Sequence, residues 1–244
     1  TRRARLERAV QLMRGSPERP LSSISAEVGF ATPSDFARIF RARFGRTPSS
    51  WDRVSVLGRV DPDLGSLGTG APSPAPAVLT RRPAVRLAFV RVADPWREGH
   101  LADGYAQLCR WLGDRGIGPD EGQLVGLSWE SAKATPADRL TYDLGVTVDT
   151  DLDLEPNHGL GLGLEPDGLV GWHELAARPT VEVRCHHLAE TAAAWEHLYG
   201  QWLPRSCWEP DGGPAIKWFQ RRPARLDPDA WEVDCSIGLR PRWP

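Results

Sequence analysis

The feature that most restricts how this chain can fold is an internal duplication. Displaced by 91 residues against itself, without gaps, the sequence superposes Trp111-Leu112 on Trp202-Leu203, Pro119-Asp120 on Pro210-Asp211, Gly122 on Gly213 and Asp143 on Asp234. With Ala102/Ala193 and Asp138/Asp229 this makes eight identities over 48 pairs, where about three are expected by chance from ordinary composition. Local patterns repeat as well. Apolar alternation and helical periodicity predict a strand over 85–92, a helix over 101–112 and strands over 124–129 and 140–148, then the same order over 180–185, 192–203, 215–219 and 231–239. Two such modules imply an α+β domain, a duplicated strand-helix-strand-strand unit whose helices lie on one face, with a groove at the seam between modules.

A change of composition precedes the duplicated region. Over 60–83, Pro, Gly, Ser and Ala dominate and apolar periodicity is lost, which reads as a linker. The chain therefore divides into a small all-α segment over 1–59, the linker over 60–83 and the duplicated domain over 84–244. A length of 244 residues suits two units with separate cores. No apolar run reaches membrane-spanning length and no charged-then-apolar leader opens the chain, so a cytoplasmic setting without a membrane partner is expected. Cys109, Cys185, Cys207 and Cys235 lack CxxC spacing and are expected as reduced thiols.

Charge is unevenly placed. The net charge is −2, yet residues 1–58 hold eleven Arg against Glu7, Glu18, Glu27, Asp35 and Asp52, which gives that end +6 and leaves −8 for the rest. The first segment is thus the one suited to a polyanion. Lys133 and Lys217 are the only lysines among thirty basic residues.

Within that segment, Leu6, Ala9, Val10 and Met13 recur at helical spacing, and Leu21, Ile24 and Val28 repeat the pattern after Pro20. Gly29 supplies a sharp turn. Thr32-Pro33-Ser34-Asp35 then combines a capping hydroxyl, Pro at the first helical position and an acid in the first turn. Phe36, Ile39, Phe40 and Phe44 form the buried stripe of this last helix, and Gly45 ends it. Helix, glycine turn, helix is the helix-turn-helix pattern, whose second helix can enter the major groove of DNA. Ser34, Arg38 and Arg41 point away from the phenylalanines and are the DNA-facing candidates, with Arg38 able to reach a guanine edge or a phosphate and Arg41 and Arg46 suited to phosphates.

The stretch ISAEVGFATPSDFARIFRARFGRTPSSWDRV, residues 24–54, resembles the second helix-turn-helix of AraC/XylS-type regulators, with Gly29, Phe30, Phe36, Arg38, Phe40, Gly45, Thr47 and Pro48 in register. The resemblance implies that Pro33, Ser34, Asp35 and Arg38 occupy base-facing positions. Pro33 and Asp35 are poor donors there, and Trp51-Asp52 stands where Tyr-Arg is usual. The chain opens at Thr1 on what resembles the helix joining two such units, so weak, salt-sensitive DNA binding is expected of the single unit.

Ten of the eleven tryptophans lie beyond the linker. Indoles offer flat, rigid area for stacking and cation-π contact, so Trp96, Trp129, Trp172, Trp218 and Trp231, on or beside predicted strands, are candidates to line a pocket. Trp111 and Trp202 end apolar helix stripes and are expected in the core. The span from 84 to 241 resembles the GyrI-like effector-binding domain, most specifically in AAWEHLYGQWLPRS, PAIKWFQRRP and TPADRLTYD. The resemblance implies a groove for bulky hydrophobic or aromatic small molecules, faced by Trp96 and Tyr142. It places Lys217 where relatives carry a Glu that offsets cationic ligands, and Phe219 where they carry Tyr. Glu130, Glu174 and Glu182 are the candidates to restore that acid. The ligand set is then Trp96, Trp129, Tyr142, Trp172, Glu182, Lys217, Trp218 and Phe219.

The resulting expectation is a bacterial, cytoplasmic transcription regulator that binds a small molecule and DNA, with no cofactor. Oligomeric state is left open. The alternative is a GyrI-like sequestering protein, or a hydrolase opening cyclopropane rings, with Glu130 and Tyr142 handling proton and water. Cys185-His186-His187 with His197 lacks metal-like spacing, and the glycine-rich run over 159–166 has no Lys-Ser/Thr after it, so neither a metal nor a phosphate loop is expected.

Overall fold

The computed structural model describes residues 2–15, 18–44, 47–51, 75–118, 121–130, 135–136, 139–148, 163–164, 170–221 and 231–242. Three helices come first, α1 (Arg2–Gly15), α2 (Leu21–Glu27) and α3 (Pro33–Phe44). Their apolar stripes meet in one core of Leu6, Val10, Met13, Ile24, Phe36 and Phe40 among others. Phe30, Phe36, Phe40, Phe44 and Trp51 touch in succession, with ring centroids 4.5–6.0 Å apart. Full burial of Phe36 and Phe40 is worth about 1.5–3 kcal/mol each. Gly29, at φ +82°, turns the chain after α2, and the Thr32 hydroxyl accepts the Asp35 N–H at 3.1 Å to start α3.

The second unit is a nine-stranded antiparallel sheet among the described residues, in the order β1-β7-β9-β8-β3-β4-β2-β6-β5. The strands are β1 (Val78–Arg82), β2 (Val85–Ala93), β3 (Leu124–Ser128), β4 (Thr141–Val148), β5 (Gly163–Leu164), β6 (Gly171–Leu175), β7 (Arg178–Cys185), β8 (Trp208–Phe219) and β9 (Val233–Pro241). Two copies of one motif are evident. The first is β2, α4 (His100–Asp114), β3 and β4; the second is β7, α5 (Thr191–Glu196), β8 and β9. Helix α5 runs on through a π-helical stretch, His197–Trp202, and a last turn, Leu203–Arg205. The copies join where β3 pairs with β8, in the register Val125↔Trp218, Gly126↔Lys217, Leu127↔Ile216 and Ser128↔Ala215.

Side chains alternate across the sheet as the pleat requires. One face carries Val90, Tyr142, Leu144, Val183, Phe219 and Cys235 in the main core with Leu108, Trp111, Leu198 and Leu203 from the helices. The opposite face carries a smaller cluster of Leu87, Val125, Leu127, Leu175, Ile216 and Trp218.

The structure departs from the sequence expectation at three places. Val78–Arg82, inside the stretch read as linker, is the edge strand β1 and pairs with β7 from Val78↔Glu182 to Arg82↔Arg178. Its five residues lie between prolines, so no alternation was long enough to notice. Strand β8 begins at Trp208 rather than 215, because the Asp211-Gly212-Gly213-Pro214 break is absorbed by a register shift between Pro210 and Ala215. Gly163–Leu164, within the glycine-rich run read as a connector, pairs with β6, and β6 pairs with β2; the remainder of that run, and Gly45, lie outside the described residues.

Candidate functional site

At the seam the two central strands approach with one side chain missing. Gly126 of β3 faces Lys217 of β8 across the ladder, and a Cβ added at Gly126 would lie 1.7 Å from the Tyr142 hydroxyl. Tyr142, buried on β4, therefore lays its phenol over β3, and only glycine leaves room for it. Trp96 comes from the turn after β2. That turn is held by the Asp94 N–H to the Leu140 carbonyl at 3.0 Å and by the His100 ring Nδ1 against the Ala93 and Asp94 carbonyls at 3.0 and 3.1 Å. The Trp96 ring sits 6.3 Å from the Tyr142 ring and 6.0 Å from the Lys217 ammonium. Indole, phenol and ammonium thus converge on the helix-bearing face where the modules meet.

The other expected ligand residues are distributed elsewhere. Trp172 is in the main core, edge-on to Trp111 at 6.2 Å. Phe219 is buried against Trp231, centroids 4.8 Å apart. Trp218 is on the opposite face beneath the Arg82 guanidinium, 4.8 Å from its ring. Glu182 is buried on that face too, accepting two bonds from Arg82 at 2.7 Å and the hydroxyls of Thr180 and Ser236 at 3.0 Å. Glu130 accepts the Thr141 N–H and hydroxyl at 3.1 Å. Glu174 is exposed and paired with Arg86 at 3.2 Å. Trp202, expected in the core, is half-buried and lines, with His197, Cys207 and Trp208, a cleft of about 360 Å³ away from the seam.

Trp129 belongs to a polar knot on the helix-free face. Asp143, fully enclosed, accepts Arg91 Nε and Nη2 at 2.6 Å each, Trp129 Nε1 at 2.7 Å and His173 Nε2 at 2.8 Å. Burial alone would raise the Asp143 carboxyl, but the hydrogen bonds and charges of Arg91 and His173 outweigh it and hold the group below its ordinary value. The second copy repeats the device. Asp234 accepts Arg184, Gln220 Nε2 at 2.8 Å and Arg82 at 3.3 Å. Trp129 and Gln220 stand at the same 91-residue offset as Asp143 and Asp234. The sequence displayed the repeated aspartates without their role; an acid inside an apolar strand in both copies was itself the signal that a buried cation must lie beside it.

Histidine and cysteine neighbours of the dismissed metal motif are engaged otherwise. Cys185 and Cys235 lie sulfur to sulfur at 3.9 Å as buried free thiols, burial and mutual contact pushing Cys235 up. His186 approaches Glu232 at 3.6 Å, and His197 bonds Gln201 at 3.2 Å. Among the described residues no group of three or more His, Cys, Asp or Glu is placed to hold a metal ion, and no helix is long and apolar enough to cross a membrane.

On the helical unit, Pro33, Ser34, Arg38 and Arg41 are exposed, and Arg38 pairs with Asp35 at 3.0 Å. Arg46 lies outside the described residues. The helical unit is not detached from the sheet. Arg8 of α1 donates to the Asp211 carbonyl at 2.6 Å and to Glu27 of α2 at 2.7 Å. Arg19 bridges Glu27 and Glu209, the latter at 3.1 Å, while Arg240 of β9 bridges the same two carboxylates. Arg242 adds a bond to Glu18 at 3.3 Å. Burial would push Glu27 up, but Arg8, Arg19 and Arg240 together hold it below its ordinary value. Arg19 of the first segment is therefore engaged with Glu209 of β8, and Arg8 with a backbone carbonyl of the same strand.

Two family models match the chain. The GyrI-like small molecule binding domain matches residues 78–240, and a helix-turn-helix domain matches residues 1–53. A DNA gyrase inhibitor of Edwardsiella piscicida is 29% identical over 128 residues, spanning 52% of this chain and 76% of the inhibitor. Among solved structures, the EcmrR C-terminal domain is 13% identical, covering 68% of this chain and 98% of that chain with a TM-score of 0.43. A hydrolase from Listeria innocua is 12% identical, covering 69% and 94% with a TM-score of 0.44. With more than half of its length matched by that domain, and the two-module sheet in place, the chain belongs to the GyrI-like small-molecule-binding family and carries a helix-turn-helix unit ahead of the family domain.

Proposed function

We propose that this protein is a bacterial, cytoplasmic transcription regulator in which an AraC-type helix-turn-helix engages DNA and the GyrI-like domain binds a bulky hydrophobic or aromatic small molecule at the seam of its modules. One observation carries the reading. Strand β8 carries Glu209 and Asp211, which bind Arg19 before α2 and Arg8 of α1, and, beyond the register shift between Pro210 and Ala215, Lys217, which stands at the seam beside Trp96. A ligand that shifts β8 at Lys217 therefore acts on the strand that grips the DNA-binding unit. The grip uses α1 and α2 and leaves the Ser34, Arg38 and Arg41 face of α3 open for the major groove. Arg38 enters that groove already paired with Asp35, so the pair favours a guanine for the guanidinium next to a cytosine amine for the carboxylate.

The test is a DNA-binding titration at two salt concentrations, with and without an aromatic ligand that quenches tryptophan fluorescence saturably. Binding that weakens with salt and changes in affinity on ligand addition supports the proposal. The Glu209→Gln variant should keep both ligand and DNA binding while losing most of the ligand-dependent change. Absence of DNA binding even at low salt would overturn it in favour of a sequestering protein. The hydrolase alternative is the less favoured chemistry, because the Glu130 carboxylate is committed to Thr141.

A further inference from the structure

We infer that the seam groove is selective for anionic aromatic ligands, with Lys217 as the counter-charge; the inference rests on the groove being the small-molecule site. Lys217 projects from near the end of β8 onto the helix-bearing face, since its neighbours Ile216 and Trp218 are both in the cluster on the opposite face. The ammonium lies 6.0 Å from the Trp96 ring, with Tyr142 next to Trp96. Among the described residues it makes no ion pair.

Among the described residues, the acids of the sheet and of α5 are turned away or already occupied. Glu182 and Asp234 are on the far face and bound to Arg82 and Arg184. Asp143 is on the far face and clasped by Arg91 and His173. Glu130 is held by Thr141, and Glu174 by Arg86; Glu196 of α5 is likewise partnered. With no carboxylate paired to it among the described residues, the half-buried ammonium gives the groove a positive centre beside the Trp96 ring. A lipophilic cation would meet the same indole with a like charge beside it, whereas an aromatic carboxylate or sulfonate stacks on Trp96 and supplies the missing counter-ion. The chain also uses lysine here although arginine serves at nearly every other basic position. An ammonium is a compact point charge that lies against an indole without demanding planar, bidentate partners.

Tetraphenylborate and tetraphenylphosphonium have the same shape and opposite charge, which makes them a direct probe. Titrated into the full chain and followed by quenching of tryptophan fluorescence, the borate should saturate at a concentration at least tenfold lower than the phosphonium. The Lys217→Arg variant should keep that preference, and Lys217→Gln should bring the two ions to within about threefold while its far-UV circular dichroism remains that of the parent. Tighter binding of the phosphonium, or a preference for the borate that persists unchanged in Lys217→Gln, would overturn the charge assignment alone. Linear, non-saturating quenching by both ions would overturn the groove itself and the proposal with it.

Discussion

Asp143 is a charged group with no solvent contact, and its stability depends on the Arg91 guanidinium, the His173 ring and the indole that face it. Replacing it by Asn keeps the shape but leaves Arg91 without its counter-charge. Because Arg91 is partly open to solvent the cost should fall near the lower end for a broken buried pair, about 3 kcal/mol, read as a drop in the urea midpoint with an unchanged slope. The same change at Asp234 should act in the same direction. Gly126 makes a different demand. Gly126→Ala drives a methyl into the Tyr142 phenol, and about 1–3 kcal/mol of overpacking is expected. Shortening the obstacle with Tyr142→Ala in the same chain should return part of that loss, so the double variant is less destabilised than the sum of the two singles.

At the scale of elements, the junction between the helices and β8–β9 should respond to acid. Glu27 is held below its ordinary value of 4.5 by Arg8, Arg19 and Arg240 against the opposing effect of burial. A carboxyl depressed on folding stabilises the folded state fully above its unfolded value and loses that contribution as pH falls through the folded value. Urea midpoints should therefore fall on acidification below about pH 4.5, and Glu27→Gln, which removes the titrating group, should remove part of that fall. Asp143, also held below its ordinary value, contributes a similar acid-side loss. The duplicated motif was legible because each copy carries its own alternation and stripe, and because Trp111 and Trp202 mark the same place in both. Parity was legible too. Lys217 and Trp218 are neighbours in one strand and cannot face one groove together, so the expected ligand set already contained members that had to part. The junction was not legible. Arg8 meets Asp211 across 203 positions and Arg240 meets Glu27 across 213, and no local period records a pairing of that range. Strand β1 escaped for another reason: with all but Arg82 of its residues exposed it has no buried side to alternate against.

For the molecule as a whole, strand β1 ties the two copies together in addition to the seam. Strand β1 precedes the first copy yet covers the edge of β7 in the second, while β6, which follows the first copy, returns to cover β2. A chain started at residue 84, the domain boundary suggested by composition, would lose β1 and with it Arg82, the partner of both Glu182 and Asp234. Such a truncation should lower the urea midpoint and, by baring the edge of β7, raise light scattering on heating relative to a chain started at residue 75.

The same arrangement fixes an order of events during synthesis. Arg82 must wait for Glu182, 100 positions later, to leave the ribosome. At ordinary elongation rates that delay is roughly 5–20 s. Strand β1 is thus the first strand of the sheet to be made and cannot be among the first to dock. Until β7 and β9 have formed, a short arginine-bearing strand is carried without its acids, and its late capture closes the fold.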